Sequence, residues 1–79
     1  MYQKKGNYDL GIKDFKKAIE INPKNLSSYN GLGLIYEKKA LYEKAINTYR
    51  NLILNATLPQ DKNWVESAQG HIRELGGTL

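Results

Sequence analysis

Length and composition place this chain among small soluble globular proteins. It has 79 residues, of which 41% are hydrophobic and 25% are charged, and its formal net charge is +4. That balance excludes an intrinsically disordered chain, and the length allows one domain that buries about 60% of its unfolded surface. The sequence contains no cysteine, which excludes a disulfide framework and a thiol nucleophile.

The sequence carries no membrane or targeting signal. No run approaches the roughly 20 apolar residues that a membrane span requires. The N-terminus also lacks a positively charged and then apolar signal segment. We therefore expect no interaction with a membrane, and a cytoplasmic location is favoured.

The first predicted helix covers residues 7–22. Its apolar stripe recurs at helical spacing and consists of Tyr8, Ile12, Phe15 and Ile19. Asn7 is expected to cap its N-terminus, and Pro23 ends it because proline disfavours the helical conformation of the residue before it. Residues 1–6 are typical of the end of a preceding helix whose beginning is missing.

Two further helices, predicted at 25–39 and 41–56, form a helical hairpin. The apolar face of the first contains Tyr29, Leu32, Gly33 and Tyr36. The face of the second contains Tyr42, Ala45, Ile46, Tyr49, Leu52 and Ile53. Both faces follow the spacing of an α-helix. Gly33 and Ala45 lie within them, and their small size should let the two helix backbones approach closely.

A last helix is predicted at 61–75. Its apolar side consists of Trp64, Val65, Ala68, Ile72 and Leu75. Asp61 is the expected N-cap, and Gly76 is expected to end the helix in a left-handed conformation. Pro59 lies 36 residues after Pro23. The last helix can be aligned with the first helix of the hairpin in two ways, and the sequence leaves both open. Trp64 and Ala68 match Tyr29 and Gly33 at an offset of 35 residues, whereas Val65 and Ile72 match Tyr29 and Tyr36 at an offset of 36.

Aromatic and aliphatic residues recur with a period of 34 residues. The matching pairs are Tyr2 with Tyr36, Tyr8 with Tyr42, Ile12 with Ile46, and Phe15 with Tyr49. A fixed period that preserves size and polarity is typical of stacked repeats. We therefore predict an all-α fold built from helix-turn-helix repeats, an α-solenoid.

The hairpin resembles the tetratricopeptide repeat. The family's aromatic-x-x-Leu-Gly-x-x-Tyr opening matches Tyr29 to Tyr36, and its Ala-x-x-x-aromatic middle matches Ala45 and Tyr49. Its closing proline matches Pro23 in the earlier copy. The resemblance implies a single domain over residues 1–79. Its expected parts are the second half of a repeat (1–24), a full repeat (25–57) and a terminal capping helix (61–77).

No group of residues in the sequence points to catalysis. His71 is the only histidine, and zinc sites require several histidine or cysteine ligands. We expect it at a helix surface or boundary. Carboxylates such as Glu37 and Glu43 are expected in solvent, which does not suit general acid–base chemistry. We therefore predict no enzyme activity, no metal site and no cofactor.

Lysines supply most of the positive charge, but their pattern does not favour a nucleic-acid site. They are spread over several helices and interrupted by acidic residues, whereas nucleic-acid-binding domains cluster basic groups on one face. The aromatic residues recur at core spacing rather than as stacking platforms. A solvated surface or an acidic protein partner is the favoured interpretation of the charge.

The resemblance implies a protein-interaction module. Stacked hairpins bind extended peptides or partner helices on a concave side lined by the first helix of each hairpin. The expected groove-facing residues are Ser27, Asn30, Gly31, Leu34, Glu37 and Lys38, joined by Lys62, Val65, Glu66 and Gln69 of the last helix. Leu34 is the strongest candidate because it is apolar yet lies between core positions.

The alternative is a segment of a longer solenoid with a structural or self-association role. The first predicted helix lacks the helix that would precede it in a complete repeat. Tyr8, Ile12 and Phe15 would then form an apolar patch at the N-terminal edge, and such patches generally mark interaction sites. We expect weak, concentration-dependent self-association through this edge because the cost of association offsets much of the gain from burial.

Overall fold

The computed structural model describes residues 5–77, which form four α-helices and no strand. The helices are α1 (Lys5–Ile21), α2 (Leu26–Lys38), α3 (Tyr42–Asn55) and α4 (Lys62–Glu74), and a short 3-10 helix (Pro59–Asp61) precedes α4. α2 packs against both α1 and α3, and α3 packs against α4. The predicted all-α class of stacked helical hairpins is confirmed.

The start of α1 differs from the prediction. Lys5 and Gly6 are already helical, so Asn7 lies inside α1 and its expected role as N-cap is wrong. A glycine inside a helix costs only about 1 kcal/mol. That cost is too small to break a helix whose apolar stripe packs on the core. The rest of the predicted N-terminal stub, residues 1–4, lies outside the described residues.

The core is a cluster of buried apolar side chains from α2, α3 and α4. Its members are Leu26, Tyr29, Leu32, Tyr36, Ala45, Tyr49, Leu52, Ala68 and Ile72. From α1, the partly buried residues Ile12, Phe15 and Ile19 pack against this cluster. Fully burying one large apolar side chain contributes about 1.5–3 kcal/mol. The hairpin faces predicted from helical spacing therefore supply most of the packing energy.

Gly33 allows α2 and α3 to approach closely. A Cβ atom built on Gly33 would lie 2.6 Å from Cζ of Tyr49, and the Tyr49 side chain is fully buried. The aromatic ring thus occupies the space that any larger residue at Gly33 would need. Ala45, the small residue of α3, is also fully buried. The predicted role of Gly33 is confirmed.

α2 ends in a hydrogen-bonded cap around Ala40. The Leu41 N–H donates to the carbonyl of Tyr36 (2.8 Å), and the Ala40 N–H donates to the carbonyl of Glu37 (2.9 Å). Ala40 has a φ of 60°. This pair of bonds around a left-handed residue is the Schellman motif, in which glycine is the usual residue. The left-handed conformation is unfavourable for alanine because of its Cβ atom. The packing of α2 against α3 must therefore stabilise this turn.

α4 ends in the same type of cap. The Gly77 N–H donates to the carbonyl of Ile72 (2.8 Å), and the Gly76 N–H donates to the carbonyl of Arg73 (3.0 Å). Gly76 has a φ of 85°, so the predicted left-handed end is confirmed. Each bond of this cap lies 36 residues after its counterpart in α2.

The two helix starts agree with this offset. Asn25 and Asp61 are the N-cap residues of α2 and α4, which are both 13 residues long. The alignment left open by the sequence is therefore the offset of 36 residues, which we call the α2–α4 register. In this register Ala68 and Ile72, which are fully buried, correspond to the core residues Leu32 and Tyr36.

Two aromatic residues expected in apolar faces lie at the surface instead. Tyr42 is 50% exposed and Trp64 is 36% exposed. Tyr42 is the first residue of α3, where the turn leaves its side chain beside solvent. Trp64 lies one position before Val65, and one position rotates a side chain by about 100° around a helix. The stripe that contains Val65 and Ala68 therefore turns Trp64 away from the core.

The contact between Gly33 and Tyr49 can be tested with Gly33→Ala. Overpacking a core costs about 1–3 kcal/mol, and the higher helix propensity of alanine returns about 1 kcal/mol. We expect the free energy of unfolding, measured by urea denaturation, to fall by up to about 2 kcal/mol.

The matched control is Gly70→Ala, because a Cβ on Gly70 would meet nothing within 4 Å. This substitution should raise the free energy of unfolding by about 1 kcal/mol, the full gain in helix propensity. Equal stabilisation by both substitutions would contradict a close approach of the helices at Gly33.

Candidate partner-binding surface

The surface shared by α2 and α4 is the candidate site for a partner. In the α2–α4 register, α4 occupies the position equivalent to α2, the first helix of the hairpin. The two helices meet where Oε2 of Glu37 lies 3.0 Å from Nδ1 of His71. First helices line the concave side of stacked hairpins. We call the accessible face of α2 and α4 the α2–α4 surface.

The α2 residues predicted to face a groove differ in exposure. Exposed are Ser27 and Lys38; half-buried are Asn30, Leu34 and Glu37. Within the described residues, Leu34 is not among the apolar side chains that form the core or pack against it. The Ser27 hydroxyl donates a hydrogen bond to Oδ1 of Asn25 (2.7 Å), which ties it to the start of α2. An apolar group, Leu34, is thus left partly accessible on α2.

Gly31, which was expected to face the groove, lies against the ring of Phe15. A Cβ atom built on Gly31 would lie 2.4 Å from Cζ of Phe15, so the position is covered by the aromatic ring of α1. The glycine permits contact between α1 and α2, in the same way that Gly33 permits contact with α3. It therefore offers no side chain to a partner.

The α2–α4 register also changes the choice of residues on α4. Lys62, Val65 and Gln69 were expected to face the groove, but in the α2–α4 register they correspond to buried positions of α2. Val65 and Gln69 are half-buried, whereas Lys62 is exposed. Glu66, which is exposed, corresponds to Asn30 and keeps its place on the candidate surface.

Gly70 is the α4 residue that corresponds to Leu34. The space around it is open, since a built Cβ would meet no atom within 4 Å. The sequence analysis did not single out this residue because a glycine inside a predicted helix carries no side-chain signal. The absence of a side chain leaves room on the α2–α4 surface at the position equivalent to Leu34.

A polar cluster joins the three helices α2, α3 and α4. The Tyr49 hydroxyl donates a hydrogen bond to Oε2 of Glu37, the same oxygen that lies 3.0 Å from Nδ1 of His71. The His71 ring stacks on the Tyr49 ring with centroids 4.7 Å apart and an interplanar angle of 9°. One carboxylate oxygen of α2 is thus in contact with a hydroxyl group of α3 and a ring nitrogen of α4.

Burial and the neighbouring carboxylate act together on Tyr49. Burial of the side chain raises the pKa of the Tyr49 phenol well above its ordinary value, and the hydrogen bond and negative charge of Glu37 raise this pKa further. The phenol therefore remains protonated and acts as a donor. A neutral, buried donor next to a carboxylate suits a structural contact rather than proton transfer.

This cluster was not predicted from the sequence, and the expected position of Glu37 in solvent is wrong. Glu37 and His71 are both half-buried, and the expected boundary position of His71 is confirmed. The two residues are 34 residues apart, which equals the repeat period. That spacing does not predict the contact, because α4 follows α2 at an offset of 36 residues, and the sequence held no other signal for it.

The α1 residues expected at a self-association edge are Tyr8, Ile12 and Phe15, and all three are half-buried. Tyr8 lines a surface cleft of about 440 Å³ with Asp9, Lys38, Lys39 and Ala40. Nζ of Lys39 lies 2.5 Å from Oδ1 of Asp9, and this ion pair joins α1 to the end of α2.

Two kinds of site are not found in the described part of the chain. Residues 5–77 contain no cluster of three or more histidine, cysteine or acidic side chains that could hold a metal ion. In the same range, no helix has the length and apolar character needed to cross a membrane.

Comparisons with known proteins agree on one family. A TPR repeat model matches residues 1–39, and a tetratricopeptide repeat model matches residues 26–54. Photosystem I assembly protein Ycf3 of Prochlorococcus marinus (strain MIT 9301) is 35% identical over 68 residues, which are 86% of this chain and 34% of that protein. No solved structure matches the chain.

Two other relatives come from distant organisms. A TPR repeat-containing protein of Methanocaldococcus jannaschii is 34% identical over 53 residues, 67% of this chain and 9% of that protein. BBSome complex member BBS4 of Bos taurus is 37% identical over 49 residues, 62% of this chain and 9% of that protein. The chain spans about a third of the length of Ycf3 and less than a tenth of the other two.

The stacked hairpins and the repeated cap define an α-helical repeat protein. The chain belongs to the tetratricopeptide repeat family. Repeats of this family generally mediate protein–protein interaction.

The protonated state of Tyr49 predicts a pH dependence of stability. Above about pH 10 a tyrosine of the unfolded chain ionises, whereas Tyr49 of the folded chain keeps its proton. The unfolded state then binds fewer protons, so the free energy of unfolding should fall as the pH rises, by up to about 1.4 kcal/mol per pH unit. Urea denaturation between pH 8 and pH 11 measures this slope.

The variant Tyr49→Phe should show a shallower slope than the wild type, because it lacks the late-titrating phenol. Tyr42→Phe, on the same helix but half-exposed, is the matched control and should keep the wild-type slope. If Tyr49→Phe and the wild type lose stability in parallel, the phenol is not held protonated by the fold.

Proposed function

We propose that this chain is a protein-interaction module that binds a peptide or a partner helix on the α2–α4 surface. The observation that carries the proposal is Leu34, an apolar side chain that is half-buried and lies outside the core cluster. Relatives named for photosystem I assembly and for membership of the BBSome complex support a role in holding proteins together. The proposed role is that of a scaffold and is not catalytic.

The chemistry of the surface suits an amphipathic partner. Leu34 and the open space at Gly70 would accept one apolar side chain of the partner, as the centre of an interface requires. Asn30, Glu66 and Arg73 would surround this contact with polar and charged groups, which are typical of an interface rim. Lys38 and Ser27 extend the rim along α2. An extended peptide or the apolar face of a helix would meet these requirements.

Peptides selected for binding from a random phage-displayed library provide the probe. Leu34→Ala should weaken their binding by about 1–2 kcal/mol, or about 5–30-fold in Kd, because truncating an apolar anchor at the centre of an interface has that cost. Isothermal titration calorimetry with a synthetic copy of the selected peptide measures the change.

The control is Leu54→Ala, because Leu54 is a leucine on α3 that is 75% exposed and lies outside the α2–α4 surface. Its peptide affinity should match that of the wild type. Gly70→Glu offers a second test, since its Cβ would meet no atom within 4 Å and its side chain would enter the open space and weaken binding as well. Equal effects of the two leucine substitutions would overturn the proposed surface.

A second proposed function is weak self-association, which Tyr8, Ile12 and Phe15 favour because each keeps part of its surface accessible. In this proposal residues 1–24 act as the second half of a repeat, 25–57 as a full repeat and 61–77 as a capping helix. A second copy would cover the accessible face of α1. The gain from burying a small apolar area is about as large as the cost of association, so only weak dimers are expected.

Sedimentation equilibrium tests this second function. The wild type should show an apparent mass that rises with concentration, and Tyr8→Lys should reduce the rise because a charged group would enter the interface. Tyr42→Lys is the matched control, since Tyr42 follows Tyr8 by one period of 34 residues but lies on α3. A wild type that remains monomeric at its highest soluble concentration would contradict self-association.

A further inference from the structure

Glu37, which the sequence placed among the partner-binding residues, has two contacts inside the molecule. Its Oε2 accepts the Tyr49 hydroxyl and lies 3.0 Å from Nδ1 of His71. A carboxylate oxygen has room for two donors and can donate nothing while it is ionised. While Glu37 is ionised, a favourable contact with His71 therefore needs a donor on the histidine nitrogen.

The environment of Nδ1 supports the same conclusion. The atom is buried, and no hydrogen-bond donor among the described residues is directed at it. Without a proton, Nδ1 would direct its lone pair at a lone pair of the carboxylate oxygen. The buried nitrogen would then be an acceptor without a donor, which costs about 1–3 kcal/mol. A proton on Nδ1 converts the same 3.0 Å distance into a hydrogen bond to a charged acceptor, one of the stronger kinds.

The stacked rings fix this arrangement in space. The phenol of Tyr49 and the imidazole of His71 are nearly parallel, with centroids 4.7 Å apart, so the imidazole cannot rotate away without losing the stack. The groups that face His71 from the helices packed against it are Glu37 of α2 and Tyr49 of α3. The raised pKa of the Tyr49 phenol keeps its proton in place as the second donor.

We propose that Glu37, Tyr49 and His71 form a polar clasp, with the His71 proton on Nδ1, that holds α4 against the α2–α3 hairpin. Glu37 is then a positioning residue. It keeps α4 where the α2–α4 surface needs it and acts on a partner through His71 rather than by contact. The clasp itself follows from the contacts within the chain, and only its effect on a partner rests on the proposed function.

The first test uses the unmodified protein. Long-range ¹H–¹⁵N spectra at pH 8, where an imidazole is ordinarily neutral, distinguish the two tautomers of a histidine. His71 should have a protonated Nδ1 and an unprotonated Nε2. The opposite tautomer would place the proton of the contact on Glu37 or remove it, and would overturn the proposal.

The second test measures how firmly α4 is held. Glu37→Ala removes the acceptor, so the amide hydrogens of α4 should exchange with solvent at least tenfold faster. The exchange rates of the α3 amides should change by less than those of α4. Tyr49→Phe, which removes only the hydroxyl, should give a smaller change of the same kind. Glu20→Ala is the control, because this glutamate is 74% exposed on α1. Unchanged exchange of α4 in Glu37→Ala would overturn the clasp.

The third test separates positioning from direct contact with a partner. Binding of the selected peptide should weaken in Glu37→Ala, in His71→Ala and in the double variant by the same factor, because residues that act as one unit are not additive. Additive losses would mean that Glu37 contacts the peptide itself. If the library yields no binding peptide, the proposed binding function is contradicted. The tautomer and hydrogen-exchange measurements still test the clasp in that case.

Discussion

The side chain of Tyr49 is the contact on which the other features of this fold depend. Its ring lies against Gly33 and sets the distance between α2 and α3. The imidazole of His71 stacks on the same ring, so this side chain also contacts α4. Its hydroxyl donates to Glu37, which joins the packing contact to the polar cluster. One side chain thus contacts both the neighbouring helix of the hairpin and the last helix.

The candidate binding surface exists only while α4 is docked. α4 contributes two fully buried side chains, Ala68 and Ile72, and alanine adds little apolar area. Leu75 packs against the core beside them, and a chain of this size buries only a modest share of its surface. Polar groups add orientation to that packing, because hydrogen bonds have directions that apolar contacts lack. In the proposed clasp, the cluster around Glu37 supplies this orientation for α4.

Much of the fold could be predicted because its signals are local. Helical spacing identified all four helices, and Gly33 was correctly interpreted as a close contact because a small residue inside an apolar face has few other uses. The predictions that were wrong concern residues whose position depends on contacts with neighbouring helices. Asn7 has the residue type of a cap, yet α1 continues through it, and Trp64 has the residue type of the core, yet it lies at the surface. For the candidate surface, the sequence identified Leu34 but not Gly70.

The sequence by itself determined the helices, the repeat and the family, because each of these depends on residue types at fixed spacing along the chain. Only the tertiary structure decided the register of α4, the burial of Glu37 and the place of Gly31 beneath Phe15. The physical reason is the geometry of the helix, in which a shift of one residue turns a side chain by about 100°. The offsets of 35 and 36 residues are equally compatible with the apolar pattern of α4. The packing of α4 against α3 and its cap at Gly76 select one of them.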